Sequence, residues 1–253
     1  MIRGIVFDLF DTLVDTNHDR LPSIEFEGRR ISATTPRLHH HATNVCGLSL
    51  SLAEFADLQR AVDRSLFRET LKRGIELPTL RRFEVLAGRL GLGAGSDLPA
   101  DFTNIHMGML RDAVGIPDHH EAVLAALAID HRLAVCSNFS HSETARTILD
   151  EARFSAHFSS VVISEDMGIR KPRPEIFDEV ARALDLAPDE ILHVGDSLEA
   201  DVAGAGACGM HTVWLTRQVS DPDAKLEAYD GPLPDFALED LLDLPVLAAR
   251  LSV

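Results

Sequence analysis

Short apolar runs alternate with segments of helical period over the second half of the chain. Apolar runs of about five residues are typical of buried strands, whereas apolar positions that recur every three or four residues are typical of helices. The runs predict strands at 132–136, 161–164, 191–195 and 212–216. The periodic segments between them predict helices at 140–151, 174–184 and 198–207. This alternation predicts an α/β fold, a doubly wound, Rossmann-like parallel sheet with helices on both faces.

Both ends of the chain extend this pattern. An apolar run at residues 2–8 is assigned to the same sheet. Residues 236–251, FALEDLLDLPVLAARL, predict a short strand that leads into an amphipathic final helix.

Residues 17–116 have a different pattern. Helical periods occur there without a strongly apolar strand between them, and they predict helices at 51–71, 78–92 and 98–114. The stretch IEFEGRRIS alternates apolar and polar residues around Gly28, which predicts a small β-hairpin. We therefore expect a mainly α-helical domain at 17–116, inserted into a core formed by residues 1–16 and 117–253.

Composition and charge limit the classes of protein and partner. The chain has 253 residues, 45% of them apolar, which is enough for one sizeable α/β core and a smaller second domain. No apolar stretch approaches the roughly 18 residues of a membrane span, and no signal-peptide pattern is visible, so a cytoplasmic location is the default expectation. A formal charge of −16 argues against nucleic acids and anionic membranes as partners. The oligomeric state leaves no mark in the sequence.

Polar side chains follow four of the predicted strands. Because the carboxyl ends of parallel strands meet at one edge of a sheet, where ligands bind in open α/β folds, we expect these side chains to converge. They are Asp8, Asp11 and Thr12 after the first strand, Ser137 and Asn138 after the second, Lys171 in the loop after the third, and Asp196 and Asp201 after the fourth.

This set of residues suits attack on a phosphate group. A carboxylate nucleophile such as Asp8 is repelled by a phosphate dianion, and a divalent cation held between Asp8 and Asp196 offsets that repulsion. Mg²⁺ prefers oxygen-rich sites of this kind. Lys171 would add a positive charge, while the Ser137 hydroxyl and the backbone N–H groups after it would bind phosphate oxygens.

The same segments resemble a known family. In order and spacing, four of them are similar to the four motifs of the haloacid dehalogenase superfamily of aspartate-nucleophile hydrolases: FDLFDTL, SNF, KPRPEIF and HVGDSLEADVAGA. The resemblance covers residues 1–16 and 117 to about 245. It implies that the helical insertion at 17–116 is the cap domain that this superfamily places after its first strand.

The resemblance also implies roles for individual residues. Asp8 would be the nucleophile that forms a covalent intermediate, and Thr12 would help to fix the first loop. Ser137, Asn138 and Lys171 would bind the anionic group of a small phosphorylated substrate. Lys171 would also steady Asp8 and the transferred group.

A Mg²⁺ ion is part of what the resemblance implies. Its direct protein ligands would be Asp8, Asp196 and the backbone carbonyl of Phe10. Asp201 would be a second acid that positions the metal or its waters.

Phe10 departs from the motif of the superfamily's phosphatases. In those enzymes an aspartate two positions after the nucleophile protonates the leaving oxygen and then activates water, and Phe10 can do neither. Loss of a positioned general acid/base typically costs about 10²- to 10⁴-fold in rate. Asp11, or an acid or histidine of the insertion, could substitute for it.

Three functions stay open at this point. The first is Mg²⁺-dependent hydrolysis of a small phosphorylated metabolite through an aspartyl-phosphate on Asp8. The second is dehalogenation through an aspartyl ester, because the founding dehalogenases also carry an aromatic residue at the position of Phe10, although Asp196 and Asp201 indicate a bound cation that those enzymes do not need. The third is a weakly active protein that binds a phosphorylated ligand.

Two histidine clusters are interpreted as structural. Three consecutive side chains, His39–His41, seldom face one point, so we interpret them as part of a solvated loop or of the surface of the insertion rather than as a metal site. His119 and His120 begin the helix that re-enters the core, and we interpret them as part of a turn.

Overall fold

The computed structural model of the protein describes residues 1–17, 19–92 and 95–252. Its contacts divide the chain into two compact units, Met1–Thr16 with Gly115–Val253, and Asn17–Val114. The second unit therefore ends two residues before the boundary expected at 116. Among the described residues, no helix is both long and apolar enough to span a membrane.

The two units together contain ten strands and eleven α-helices among the described residues. The strands are β1 (Gly4–Phe7), β2 (Asp15–Thr16), β3 (Ile24–Phe26), β4 (Arg29–Ile31), β5 (Val114–Gly115), β6 (Arg132–Ser137), β7 (Phe158–Ile163), β8 (Ile191–Gly195), β9 (His211–Leu215) and β10 (Phe236–Leu238). The α-helices are α1 (Thr35–Asn44), α2 (Leu52–Glu69), α3 (Thr79–Arg89), α4 (Leu98–Asp112), α5 (His120–Leu127), α6 (Ser142–Glu151), α7 (Ser164–Met167), α8 (Pro174–Leu184), α9 (Gly204–Ala207), α10 (Pro222–Glu227) and α11 (Leu244–Leu251).

The first unit is built on a six-stranded sheet in the order β10-β9-β8-β1-β6-β7. Each neighbouring pair of strands is parallel, as the apolar runs predict. From β1 the chain winds outward to β6 and β7, and then returns to the other side of β1 for β8, β9 and β10. The carboxyl ends of β1 and its two neighbours therefore border the point at which the winding direction reverses, where open α/β sheets bind their ligands. The predicted fold class is confirmed.

Apolar helix faces cover this sheet. Helix α8 begins at Pro174, whose fixed φ suits the first helical turn. It buries Ile176, Phe177, Val180, Ala181 and Leu184, and these positions form one face at helical spacing. The face packs into a core cluster with Val6 of β1 and Ala134 of β6.

The second unit contains α1 to α4 and a hairpin. Strands β3 and β4 pair antiparallel, and the turn between them has φ of 49° at Glu27 and 70° at Gly28. Positive φ at both central positions is the geometry of a tight two-residue hairpin turn, so the predicted hairpin is confirmed. The core of this second unit contains Phe55, Phe83 and Phe102. The Phe102 ring meets the Phe55 and Phe83 rings edge to face, with centroids 5.8 and 5.5 Å apart.

Several predicted elements differ from the structure in detail. Helix and strand ends shift by one to three residues, as is usual for fraying ends. The helix predicted at 198–207 is a π-helical turn over Leu198–Ala203 followed by α9. The loop interpretation of His39–His41 is wrong, because all three lie in α1. Their side chains bond the separate partners Leu50, Asn44 and Asp101.

Candidate active site

The sheet register brings the predicted site residues to one edge. Phe7 of β1 pairs with Val135 of β6 and Val194 of β8, so the next residue, Asp8, lies at the common carboxyl edge of the three strands. The Asp8 backbone N–H donates to the Val194 carbonyl over 2.9 Å and continues the ladder by one residue. Ser137 ends β6 at the same edge.

Lys171 joins two of the acids. Its buried ammonium donates to Asp8 Oδ1 at 2.7 Å, to Asp201 Oδ1 at 2.6 Å and to the Cys136 carbonyl at 2.7 Å. Burial opposes the charged ammonium, but the carboxylates of Asp201 and Asp8 outweigh it and raise the pKa of Lys171 above its ordinary value. Lys171 is therefore a fixed cation beside the nucleophile candidate.

Asn138 positions this lysine. Its side-chain oxygen accepts from the Lys171 backbone N–H at 2.8 Å, and its side-chain nitrogen donates to the Lys171 carbonyl at 3.0 Å. The amide predicted to bind substrate is thus occupied by the backbone of the neighbouring loop. Asn138 lies beside Lys171, and its bond to the Lys171 backbone was not predicted from the sequence.

Asp201 is held by an environment that depends on Gly195. A Cβ on Gly195 would lie 2.2 Å from Asp201 Cγ, so only glycine at the end of β8 leaves room for this carboxylate. The π-helical turn presents Asp201, whose Oδ2 accepts from the Ser197 backbone N–H at 3.1 Å. Burial opposes ionisation, but Lys171 and His193 hold the pKa of Asp201 well below its usual range.

His193 is a site residue that sequence reasoning missed. Its Nε2 lies 2.9 Å from Asp201 Oδ1, and its ring meets Phe177 edge to face at 5.4 Å. The spacing of His193 and Gly195 could have indicated this contact, because side chains two residues apart on a strand share a face. His193 therefore points to the same face of the sheet on which Gly195 leaves room for Asp201. The residue is 1% exposed.

Three carboxylates form a group suited to a metal ion. Asp8, Asp196 and Asp201 each offer an oxygen, and these atoms lie within 4.8 Å of one another. Burial, reinforced by the charges of Asp8, Asp201 and Asp11, raises the pKa of Asp196 to about 7. Burial likewise raises the pKa of Asp8, although Lys171 opposes the shift. Crowded carboxylates that resist ionisation are what a hard divalent cation stabilises, so the donor set fits Mg²⁺.

Two hydroxyls, one in the loop after β1 and one at the end of β6, are buried. Ser137 Oγ and Thr12 Oγ1 are buried and have no hydrogen-bond partner among the described residues. A buried hydroxyl without a partner is costly, and an anionic oxygen would satisfy it. Ser137, at the end of β6, thus has the properties expected of a phosphate-binding group. Thr12 lies in the loop after β1, which it was predicted to help fix.

The loop after Asp8 offers no carboxyl group at the position of the missing acid. The Phe10 ring packs on the Phe139 ring with centroids 4.7 Å apart. Asp11 has a left-handed backbone, φ 57°, and its Oδ1 accepts from the Thr16 backbone N–H at 2.9 Å. The Asp11 carboxylate therefore stabilises its own loop.

A comparison of the sequence with protein families matches the model for haloacid dehalogenase-like hydrolases over residues 2–209. This chain belongs to the haloacid dehalogenase-like hydrolase family. The predicted membership is confirmed, and the protein is a hydrolase of this family.

Individual relatives include named phosphatases. Glyceraldehyde 3-phosphate phosphatase of Methanopyrus kandleri is 29% identical over 255 residues, which cover 96% of this chain and 97% of the relative. Human N-acylneuraminate-9-phosphatase is 28% identical over 250 residues, 97% of this chain and 93% of the relative.

A solved structure shares the fold of this hydrolase. The 2-haloacid dehalogenase of Pseudomonas syringae pv. tomato superposes with a TM-score of 0.72, covers 99% of both chains and is 23% identical. At that identity the likeness shows the fold alone.

Proposed function

We propose that this hydrolase is a Mg²⁺-dependent phosphatase that acts on a small phosphorylated metabolite through an aspartyl-phosphate on Asp8. The observation that carries the proposal is the group of three carboxylates, Asp8, Asp196 and Asp201, with the Lys171 ammonium bonded to two of them. The names of the phosphatase relatives support it.

The residues present support a two-step reaction. The Asp8 carboxylate attacks phosphorus, and the bond from phosphorus to the leaving oxygen breaks with its electron pair going to that oxygen. Water then attacks the phosphorus of the aspartyl-phosphate, which releases phosphate and restores Asp8. Lys171 fixes Asp8 Oδ1 at 2.7 Å and keeps the carboxylate aimed, while Ser137 Oγ donates to a phosphate oxygen.

The metal site would be formed by Asp8, Asp196, Asp201 and the Phe10 backbone carbonyl. Mg²⁺ bound there would neutralise the charge that accumulates between the nucleophile and the phosphate. The Asn17–Val114 unit would be the cap that specifies the substrate and excludes water.

The leaving group is restricted on this mechanism. Phe10 carries no proton, and the Asp11 carboxylate is bonded to the backbone of its own loop. An alkoxide would therefore leave slowly unless the substrate or another side chain supplies a proton. Aryl phosphates, whose leaving oxygen is a weaker base, should be the better model substrates.

The proposal is tested by hydrolysis of an aryl phosphate with and without Mg²⁺. We expect phosphate release that requires Mg²⁺ and is lost in the Asp8→Asn variant. Asp166→Asn is the matched control, because Asp166 is an exposed partner of Arg146 on the surface, and it should keep full activity. Activity that persists in Asp8→Asn would show that Asp8 is not the nucleophile.

Dehalogenation is a second candidate because of Phe10. The Phe10 and Phe139 rings form an apolar contact at residues that follow β1 and β6, and halide needs no proton when it leaves. This reaction would give an aspartyl ester on Asp8, which water cleaves at the carbonyl carbon.

A single-turnover reaction in ¹⁸O-water separates the two candidates. Ester cleavage at carbon places the label in the Asp8 carboxylate, whereas attack on phosphorus places it in the released phosphate. Halide release from a 2-halo acid without metal, with labelled Asp8, would favour the dehalogenase. Labelled phosphate with unlabelled Asp8 would favour the phosphatase.

A further inference from the structure

A second group of side chains with metal-ligand spacing lies outside the Asp8 site. Among the described residues, two such groups occur, and the second consists of His119, His120 and Asp240. Each offers one ligand atom, and the three atoms lie within 4.8 Å of one another. The two histidines begin α5, and Asp240 precedes the turn that leads into α11.

His120 is held as a metal-binding histidine would be. Its ring is fully buried, and Nδ1 lies 2.8 Å from the Leu13 backbone carbonyl. A carbonyl only accepts, so Nδ1 carries the proton. Full burial disfavours a charged imidazolium, so the ring is neutral. The Nε2 atom is then left with a lone pair.

That lone pair has no hydrogen-bond donor among the described residues. A buried acceptor without a partner destabilises the fold, and an ion or a water molecule is the usual explanation. Metal-ligating histidines commonly donate the other ring N–H to a backbone carbonyl, which is the arrangement of His120 and Leu13.

The other two side chains complete the group. His119 Nε2 lies 2.7 Å from Asp240 Oδ1, and the His119 and His120 rings are perpendicular with centroids 4.6 Å apart. Asp240 is fixed by the Leu242 backbone N–H, which donates to Oδ1 at 2.9 Å. Two partly exposed ligands beside one buried ligand give an ion a path of entry.

The neighbouring cation does not neutralise this group. Arg217 makes two hydrogen bonds to Asp15 with its terminal nitrogens and approaches Asp240 Oδ2 only with Nε, at 3.7 Å. Two carboxylates therefore face one guanidinium, and a negative charge remains for a metal ion.

We propose that His119, His120 and Asp240 bind a divalent transition metal of the Zn²⁺ class. Two imidazoles and one carboxylate are borderline ligands that favour Zn²⁺ over Mg²⁺, and a water would complete the four-coordinate shell. Ligands about 2.0–2.1 Å from a tetrahedral ion lie roughly 3.3 Å apart, so His119 and Asp240 separate by about half an ångström on binding. The ion links Leu13, through His120, to α5 and to the segment after β10.

Calorimetric titration of the full chain with Zn²⁺ tests the site. The titration is run at saturating Mg²⁺ on the Asp196→Asn background, so that the Asp8 group does not contribute. We expect one Zn²⁺ per chain, and an affinity lowered by about 10- to 100-fold or more in His119→Gln and in Asp240→Asn. His119 and Asp240 are partly exposed, so these two variants should fold. His120 is not changed in this test, because it is buried and its replacement could prevent folding. His41→Gln removes a matched His–Asp pair, His41 with Asp101, and should change nothing.

Two further measurements do not depend on activity. Zn²⁺ at about 100 times its Kd should raise the unfolding temperature by about 5–10 °C, and at the same Zn²⁺ concentration this shift should fall to about half or less in His119→Gln. Co²⁺ should give the intense visible absorption of a four-coordinate site in the parent and not in Asp240→Asn. Absence of Zn²⁺ binding, binding unaffected by either variant, or loss of binding in His41→Gln would each overturn the proposal.

Discussion

Replacement of Lys171 by methionine tests whether one ammonium stabilises the buried acids. Its side chain is 1% exposed, and the Asp201 carboxylate to which it is bonded is 2% exposed. Methionine keeps most of the volume and removes the charge. The variant therefore leaves Asp8 and Asp201 as neighbouring buried carboxylates without their shared cation.

The expected loss of stability is large. Removal of one partner from a buried ion pair typically costs about 3–5 kcal/mol, because the other charge stays buried and unpaired. His193 still donates to Asp201, which places the expected loss toward the lower end, about 3 kcal/mol. The free energy of unfolding at pH 7 should fall by this amount.

The sign of the pH dependence follows from the same contacts. In the parent, Lys171 holds the pKa of Asp201 below its ordinary value, so the pair stabilises the fold above that ordinary value and the contribution is lost as the pH falls through the lowered pKa. In Lys171→Met the acids lose this effect, and burial raises their pKa values. A buried carboxyl group with a raised pKa destabilises the fold at high pH, where it is ionised, and protonation removes this cost. The loss of unfolding free energy in Lys171→Met should therefore become smaller from pH 7 to pH 5.

Urea denaturation followed by tryptophan fluorescence measures the loss. Trp214 is the one tryptophan of the sequence, is buried in β9, and donates from Nε1 to the Asp196 carbonyl at 2.9 Å, so it reports on the core beside the site. Lys72→Met, at an exposed position, is the control and should change stability by less than about 0.5 kcal/mol. A loss of stability under about 1 kcal/mol in Lys171→Met, or one that grows toward pH 5, would show that the Lys171 ammonium does not stabilise the buried acids.

Three further variants probe other parts of the site. Phe10→Asp introduces the missing acid and should raise kcat/KM for alkyl phosphates by about 10²- to 10⁴-fold, with a smaller gain for aryl phosphates; equal gains for both would contradict a role in leaving-group protonation. Gly195→Ala places a Cβ 2.2 Å from Asp201 Cγ and should lower both the urea midpoint and the activity, and unchanged values would show that the carboxylate has room to move. His193→Phe replaces the imidazole with an aromatic ring that cannot donate to Asp201, so stability should fall by about 1–3 kcal/mol and kcat should fall more than KM changes. The control is His211→Phe, at the exposed start of β9, which should leave kcat intact.

The general architecture of the site could be predicted because parallel strands end at one edge. The apolar runs locate β1, β6 and β8, and the polar residues that follow them, Asp8, Ser137 and Asp196, must then converge. This convergence can be predicted from the order and direction of the strands alone, without knowledge of how the side chains pack.

The rest depends on contacts that a linear pattern does not contain. The bond between the Asn138 side chain and the Lys171 backbone joins two loops 33 residues apart. In the sequence His193 is one residue of a buried strand. It becomes part of the site only because the π-helical turn brings Asp201 within hydrogen-bond distance of its ring. Helix α1 was missed as a helix because its sequence is dominated by polar His39–His41, although Leu38 and Ala42 on its buried face have helical spacing.

The charges of the site restrict the substrate on the proposed mechanism. Asp8, Asp196 and Asp201 carry three negative charges when ionised, and Lys171 carries one positive charge, so a divalent ion brings the group to neutrality. No cationic charge is then left over to stabilise a departing alkoxide, and the Phe10 ring offers no proton. The leaving oxygen must therefore be a weak base, or it must receive its proton from the substrate or from another side chain. A rate that falls steeply as the pKa of the leaving alcohol rises, and that becomes nearly independent of it in Phe10→Asp, is the signature that this charge balance predicts.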